Sequence, residues 1–288
     1  MVRSNDSFGK VIEMDLDDPK KPEFATWHSY LRFANHVRHL NRFVWSPGVQ
    51  AFLDTVASCL HRRKFQINAG EIYYRAQPGI SEKSPNQDGM LGTLVKHGHG
   101  EDRMRPLPYG SSEGRANPAG ISVLYLANNR DTAISEIRPW IGYEVSVAQF
   151  RIERNLAIVD LTGGHGQNVF QHLGIENVFS NKQPSVEQRE QIVWIEIDNA
   201  FSKPVSRNDD IGEYIPTQIL SELFKSLGYD GLVYRSQFGE FGVNVVLFNG
   251  ENVKFVDCTP YRVSQINVAA VNIGNADGSE GDTEASLE

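Results

Sequence analysis

The feature that most constrains this chain is a series of short apolar segments that begins at Glu71. Gly, Pro and Asn separate the segments, and these residues end strands and form turns. The segments read EIYYRA, ISVLYLA, YEVSVAQFRI, LAIVDL, DGLVYRS and VNVVLFN. Helical patterns at 129–137 and 217–227 interrupt the series, and Pro216 and Gly228 bound the second of them. Strands mixed with helices in this order predict an α+β domain.

A small helical unit is predicted before the strands, at residues 24–68. Phe24, Trp27 and Leu31 recur at the spacing of one helix face. A second helix is predicted from Ser46, because a serine N-cap followed by proline is a common helix start. The unit contains several histidines but no pattern such as H-E-x-x-H. The sequence therefore predicts no metal site.

The other boundaries follow from composition. Residues 1–23 are polar and are expected to be flexible, and residues 69–265 are expected to form the catalytic domain. Residues 266–288 are rich in Gly, Ser and acidic side chains, which predicts a disordered tail. Residues 81–118 predict a long loop. The GGHG stretch at 163–166 is interpreted as a turn, because the chain has no dinucleotide or Walker phosphate motif.

Composition and charge exclude several classes of protein. The 288 residues carry a net charge of −8, whereas a general nucleic-acid binder needs clustered positive charge. No segment approaches the ~20 apolar residues of a membrane span, and the first residues show no secretory signal. Cys59 and Cys258 lack metal-ligand spacing and are expected to be reduced thiols. These features favour a soluble, cytoplasmic protein.

Polar groups beside the ends of apolar strands are the candidates for chemistry, because sites form where strands meet loops. The candidates are Tyr74, Arg75, Arg115, Asn117, Tyr125, Glu136, Ser236 and Asn244. Taken singly, each has a commoner structural explanation, such as a surface ion pair for an arginine or a core position for a strand tyrosine. An arginine can nevertheless bind a diphosphate through two hydrogen bonds. A carboxylate can stabilise the positive charge that grows on a sugar as its glycosidic bond breaks.

In their order and spacing, these segments resemble the RES domain, a family named after its Arg, Glu and Ser positions. The resemblance extends from about Ile72 to Phe248. It rests on YYRA, GRANPAGISVLYLA, TAISEIRPW, YIPTQILSELFKSLGYDGLVYRS and GVNVVLFN. Residues 24–70 are similar to the helical extension that precedes this domain in some members.

The resemblance implies an ADP-ribosyltransferase-like fold, with a mixed β core and flanking helices, preceded here by the helical unit. It also implies an NAD⁺-degrading toxin of a bacterial toxin–antitoxin pair. The family's arginine, glutamate and serine fall on Arg75, Glu136 and Ser236. Tyr125 completes the implied catalytic set, and the implied substrate-binding residues are Tyr74, Arg115, Asn117 and Asn244.

The implied chemistry is cleavage of the nicotinamide–ribose bond. The two arginines would hold the diphosphate or ribose, and Tyr125 would pack on the nicotinamide ring. Glu136 would support an oxocarbenium-like transition state, while Ser236 positions the substrate. NAD⁺ is then a substrate and not a resident cofactor. Either water or inorganic phosphate is the acceptor, as in a glycohydrolase or a phosphorylase.

Two other functions stay open on the sequence. One is an ADP-ribosyltransferase that modifies a protein, although arginine-modifying enzymes typically carry Gln or Glu where this chain has Ile134. The other is a catalytically silent nucleotide-binding or partner-binding module. The resemblance also implies a cognate antitoxin and a homo-oligomer as partners. The acidic tail from Ala276 is interpreted as a solubilising segment, with masking of the arginine pocket as the less common alternative.

Overall fold

The structure is a computed structural model that describes residues 22–83, 94–173, 183–203, 211–238 and 241–268, together with 270, 272 and 274. The helices are α1 Ser29–His39, α2 Pro47–Cys59, α3 Glu101–Met104, α4 Arg130–Glu136, α5 Val169–His172, α6 Val186–Ser202 and α7 Ile215–Ser226. The strands are β1 Lys64–Ile67, β2 Ile72–Pro78, β3 Ser81–Lys83, β4 Val95–His97, β5 Leu124–Ala127, β6 Glu144–Ile152, β7 Leu156–Leu161, β8 Gly231–Arg235, β9 Val243–Leu247 and β10 Val253–Arg262.

One mixed sheet of eight strands organises the fold, in the order β1-β7-β8-β9-β5-β2-β6-β10. Only β7 and β8 pair in parallel within this sheet, and the other neighbours are antiparallel. The hairpin β3–β4 stands apart from the sheet. Helices and a mixed sheet in one domain confirm the predicted α+β class, and all six predicted apolar segments form strands of the large sheet.

Three apolar clusters pack against the sheet, and the two largest, the first and second cores, lie on its opposite faces. Leu232 and Val233 are neighbours on β8 and point into different cores, as alternation along a strand requires. The first core includes Phe33 of α1 and Phe52 of α2, whose rings stack, and it also receives side chains of α6 and α7. The N-terminal helices therefore pack against the same face of the sheet as α6 and α7.

Several elements differ from the sequence prediction or were not predicted. Residues 64–67, which the sequence analysis placed in the helical unit 24–68, form β1 and pair with β7. The edge strand β10 was not predicted, because its buried and exposed positions follow no clear pattern. Helix α6 was also missed, although Ser185 and Gln188 form a capping box that marks its start.

The predicted turn at 163–166 is confirmed, and one of its glycines, Gly164, is required by packing. A Cβ on Gly164 would lie 2.7 Å from the Cα atom of Ile195. The amide of Gly164 donates to the buried Asp198 carboxylate at 2.7 Å, and Arg63 Nη1 donates to the same oxygen at 2.9 Å. A buried ion pair therefore fixes this turn against α6.

Parts of the predicted boundaries lie outside the described residues. These parts are residues 1–21 of the N-terminal segment, residues 84–93 of the loop 81–118 and most of the tail 266–288. The described part of that loop contains β3, β4 and α3. No described helix is both long and apolar enough to cross a membrane.

The half-buried Glu196 on α6 predicts a pH dependence of stability. Burial raises the pKa of Glu196 to about 8, and its Oε2 has no hydrogen-bond partner. Because this pKa is raised in the folded state, the Glu196 carboxyl contributes its full stabilisation of the folded state below the unfolded pKa of ~4.3. This stabilisation is lost as pH rises through the folded pKa of about 8. The thermal midpoint of Glu196→Gln should therefore exceed that of the wild type at pH 9 and converge with it near pH 5. Glu222→Gln, on the exposed face of α7, is the control. A constant difference across this pH range would contradict the prediction.

Candidate active site

A cleft opens where strands β2 and β5 separate. The two strands share only one residue pair, Tyr74 with Ala127, and β2 then continues beside β6 alone. A cavity of about 310 Å³ lies at this separation. Its lining includes Tyr74, Arg75, Arg115, Tyr125, Glu136, Tyr214, Tyr234 and Asn244. Six of these eight are residues that the sequence predicted.

Two donors fix the carboxylate of Glu136, the last residue of α4. Ser236 Oγ donates to Glu136 Oε1 at 2.7 Å, and Asn244 Nδ2 donates to the same oxygen. Asn244 lies on β9, and the Ser236 amide donates to the Gly242 carbonyl at 2.9 Å across the β8–β9 turn. Both donors therefore come from one hairpin. Within the described chain neither reaches Oε2, so that oxygen is left for another partner.

The carboxylate also depends on where α4 begins and ends. Asn129 caps this helix by accepting the amide of Thr132 at 2.8 Å. The chain leaves α4 at Arg138, which is the single non-glycine residue with a positive φ, 48°, among those the structure describes. Such a conformation is uncommon for arginine and often occurs at functional sites.

The positive charge of Arg75, on β2, has few hydrogen-bonding or charged partners. Its Nη1 donates to the Tyr125 carbonyl at 3.4 Å, and its Nε is buried without a partner. In the part of the chain that the structure describes, no carboxylate forms an ion pair with it. Burial lowers the pKa of Arg75, because the charged form loses solvation. A guanidinium in this state at a cavity wall favours an anionic ligand.

Tyr125 supports the turn that carries Arg115. Its hydroxyl donates to Asn117 Oδ1 at 2.9 Å and accepts the Ala116 amide at 3.0 Å. Burial raises the pKa of Tyr125 to about 12, so the phenol stays protonated. A Cβ on Gly114 would lie 2.5 Å from this hydroxyl, which explains the glycine. The ring of Tyr125 lines the cavity while its hydroxyl holds the turn.

Asn117 is placed behind the cavity wall. It is buried, and its Nδ2 donates to the carbonyls of Ser112, Pro118 and Ile121. It lines an adjoining compartment of about 440 Å³ and not the 310 Å³ cavity. The two compartments share Arg75, Gln77 and Tyr125 in their linings, so they adjoin each other.

A smaller compartment of about 30 Å³ lies beside Glu136. Its lining includes Arg115, Arg138, Arg235 and Ser202. Ser202 ends α6, and its hydroxyl is buried without a partner among the described residues. None of the three arginines forms an ion pair within the described ranges. Arg115 Nη1 donates to the Ala200 carbonyl at 3.3 Å. This compartment is thus lined by three positively charged side chains and by the Ser202 hydroxyl.

The structure brings the sequence-predicted residues into one region. Ser236 contacts the cavity through Glu136, and Asn117 contacts it through Tyr125. No site role was predicted for three further lining residues, Tyr214, Tyr234 and Arg138, although each lies inside a segment quoted for the family resemblance. No group of three or more His, Cys, Asp or Glu that could hold a metal occurs in the described residues.

The Tyr125 hydroxyl gives a stability prediction. Tyr125→Phe keeps the ring but leaves the buried Asn117 Oδ1 without this donor, at a cost of about 1–3 kcal/mol in the free energy of unfolding. Denaturant unfolding measures it. Tyr109→Phe is the matched control, because Tyr109 is 93% exposed. Equal stability of Tyr125→Phe and the wild type would show that the hydroxyl does not hold the turn.

Comparison with known proteins identifies the family. No curated protein matches this chain. A similar solved structure is the crystal structure of the M. tuberculosis MbcT–MbcA toxin–antitoxin complex, with 16% identity and a TM-score of 0.37 over 72% of this chain and 92% of that chain. The family model of the RES domain matches residues 93–268, more than half of the 288 residues, and confirms the resemblance for the blocks from Gly114 onward. The YYRA block with Tyr74 and Arg75 precedes the matched residues. The chain belongs to the RES domain family.

Proposed function

We propose that this chain is a toxin-like enzyme that cleaves NAD⁺ at the bond between nicotinamide and ribose. The observation that carries the proposal is the Glu136 carboxylate, which Ser236 and Asn244 hold by one oxygen at the cavity wall. Catalytic groups work best when their orientation is fixed before the reaction. The free Oε2 then meets the ribose, where positive charge develops.

The two adjoining compartments suit the two halves of a dinucleotide. Arg75, shared by the two larger compartments, is the residue best placed for the diphosphate, since it lacks a carboxylate partner among the described residues. The nicotinamide and its ribose occupy the 310 Å³ cavity beside Glu136. The adenosine half occupies the 440 Å³ compartment. Tyr74 and Tyr125 supply ring surface to the nicotinamide end.

The chemical step is dissociative. The bond between C1′ of the ribose and the pyridinium nitrogen breaks, and its electron pair neutralises the nicotinamide. Glu136 stabilises the oxocarbenium-like sugar by its negative charge and by a hydrogen bond from a ribose hydroxyl. An acceptor oxygen then bonds to C1′, and the acceptor loses one proton. No step requires a metal or a resident cofactor.

The acceptor is either water or inorganic phosphate. The small compartment beside Glu136 supports phosphate, because three arginines and the Ser202 hydroxyl can donate hydrogen bonds to an oxyanion there. Attack by phosphate gives ADP-ribose 1-phosphate, whereas attack by water gives ADP-ribose. Modification of a protein would instead appear as a mass increase of that protein after incubation with NAD⁺.

The family resemblance also suggests the biological setting. We infer a cytoplasmic toxin, since its substrate NAD⁺ is a cytoplasmic metabolite. A cognate antitoxin that blocks the cleft, and assembly into a homo-oligomer, belong to the same proposal. Arg75 and Arg115 make the cleft a suitable site for an acidic antitoxin segment.

Glu136→Gln tests the catalytic role. The amide keeps the size of the side chain and an Oε1 acceptor for Ser236 and Asn244, but it removes the charge. Nicotinamide release from NAD⁺ should fall by about 100-fold or more. Glu153→Gln, at an exposed position after β6, is the control and should keep the wild-type rate. Similar rates for Glu136→Gln and the wild type would refute the role of Glu136.

Phosphate dependence tests the acceptor. We expect faster nicotinamide release with phosphate than in phosphate-free buffer, with ADP-ribose 1-phosphate as the product. Arg138→Gln should require about tenfold more phosphate for the same rate, because one charged donor to the oxyanion is lost. Mass spectrometry of the products decides the question. ADP-ribose as the sole product at millimolar phosphate would assign the reaction to a glycohydrolase.

A further inference from the structure

A second cavity lies between α1 and α2, and it shares no lining residue with the candidate active site. This α1–α2 groove has a volume of about 290 Å³. Its lining includes Glu23, Phe24, Ala25, Arg32, Phe33, His36, Ser46, Val49, Ala51 and Phe52. Phe24, Phe33, Val49 and Phe52 belong to the first core and are only 2–6% exposed, so they form the floor of the groove and offer little surface of their own.

The connection from α1 to α2 adds an exposed apolar surface next to the groove. Leu40, Phe43 and Val44 are 73%, 88% and 77% exposed. Trp45 precedes the groove residue Ser46 and is 42% exposed. Large apolar side chains that cluster at the surface of a folded protein commonly mark a binding site.

The charge of this region is opposite to that of the whole chain. Residues 24–53 contain no Asp or Glu, although the chain has a net charge of −8. Arg32 and His36 line the groove, and its one lining carboxylate, Glu23, pairs with Arg189 at 3.3 Å. His36 Nε2 is buried without a partner among the described residues. Thr26 Oγ1, beside the groove residue Ala25, is also buried without a partner. A segment that combines apolar and acidic side chains would complement both the floor and the rim.

We propose that residues 11–18 of this same chain bind in the α1–α2 groove. Their sequence, VIEMDLDD, combines apolar Val11, Ile12, Met14 and Leu16 with acidic Glu13, Asp15, Asp17 and Asp18. The proposal is independent of the NAD⁺ reaction.

The connection between segment and groove is short. Residues 19–22 join the segment to Glu23, which itself lines the groove. Four residues span at most ~14 Å when extended. A tether of this length keeps the segment near the groove at an effective concentration on the order of millimolar. Apolar contact and charge attraction of ordinary strength then suffice for binding.

Bound in this way, the segment covers apolar surface that would otherwise face solvent. Its acidic side chains approach Arg32 and His36. Its apolar side chains meet the exposed Leu40, Phe43 and Val44 beside the groove, since Phe33 and Phe52 are only 2% and 6% exposed. A protein partner that uses this face would first displace the segment. The N-terminal helices would thus present a covered binding surface on the RES domain.

Hydrogen–deuterium exchange of the full chain, followed by mass spectrometry, tests the proposal. Amides of residues 11–18 should exchange at least about tenfold more slowly than in a synthetic peptide of the same sequence. Replacing Glu13 by Gln, and Asp15, Asp17 and Asp18 by Asn, should lower this protection about tenfold. It should also speed exchange in residues 40–46. Neutralising Glu280, Asp282, Glu284 and Glu288 in the same way is the matched control and should change neither region.

A disulfide trap gives a second readout. Leu16→Cys combined with Ala51→Cys, an exposed groove position, should form an intramolecular disulfide under oxidised glutathione. Asn5→Cys combined with Ala51→Cys should form it much more slowly. Peptide-like exchange of residues 11–18, with no trapping above this control, would overturn the proposal. Trapping that yields only cross-linked dimers, or protection that grows with protein concentration, would overturn it in favour of a second copy in the groove.

Discussion

The arrangement of the site depends on the two hydrogen bonds to Glu136. They join the end of α4 to the β8–β9 hairpin, through Ser236 on one side of the turn and Asn244 on the other. A glutamate at the end of a short helix would ordinarily sample several rotamers in solvent. Two donors from a sheet restrict it to one position, because the antiparallel pairing of β8 with β9 fixes both donors. The carboxylate is thereby fixed beside the β8–β9 turn, in the middle of the sheet order.

The second constraint is the separation of β2 from β5. If the strands paired along their whole length, side chains from neighbouring strands would fill the space and no cleft would exist. They part after one residue pair, and Arg75 reaches across the gap to the Tyr125 carbonyl. The turn with Arg115 closes the far wall, and the hydroxyl of Tyr125 holds that turn. Cation and carboxylate thus line one cavity from different strands and helices.

Much of this could be predicted from the sequence. The apolar segments gave six strands of the sheet, and Asn129 and Pro216 marked two helices, because these signals are local. The edge strand β1 was not predicted, because it is mostly exposed and lacks an alternating pattern. The position of Tyr214 in the cavity depends on contacts between distant segments, which no local pattern encodes. The supporting role of Asn117 depends on how its turn folds back onto Tyr125, eight residues along the chain. The glycines at 163–166 likewise need the fold for their explanation, since Gly164 packs against α6.

The central claim is that Ser236 acts on the reaction through Glu136. A double-mutant cycle of nicotinamide release from NAD⁺ tests it directly, with the wild type, Ser236→Ala, Glu136→Gln and the double variant. We expect release by the wild type and a reduced rate for Ser236→Ala. We expect no further loss when Ser236→Ala is added to Glu136→Gln, since the oriented charge is already absent. Independent, multiplicative losses would contradict this coupling, and absence of release by the folded wild type would contradict the proposed reaction itself.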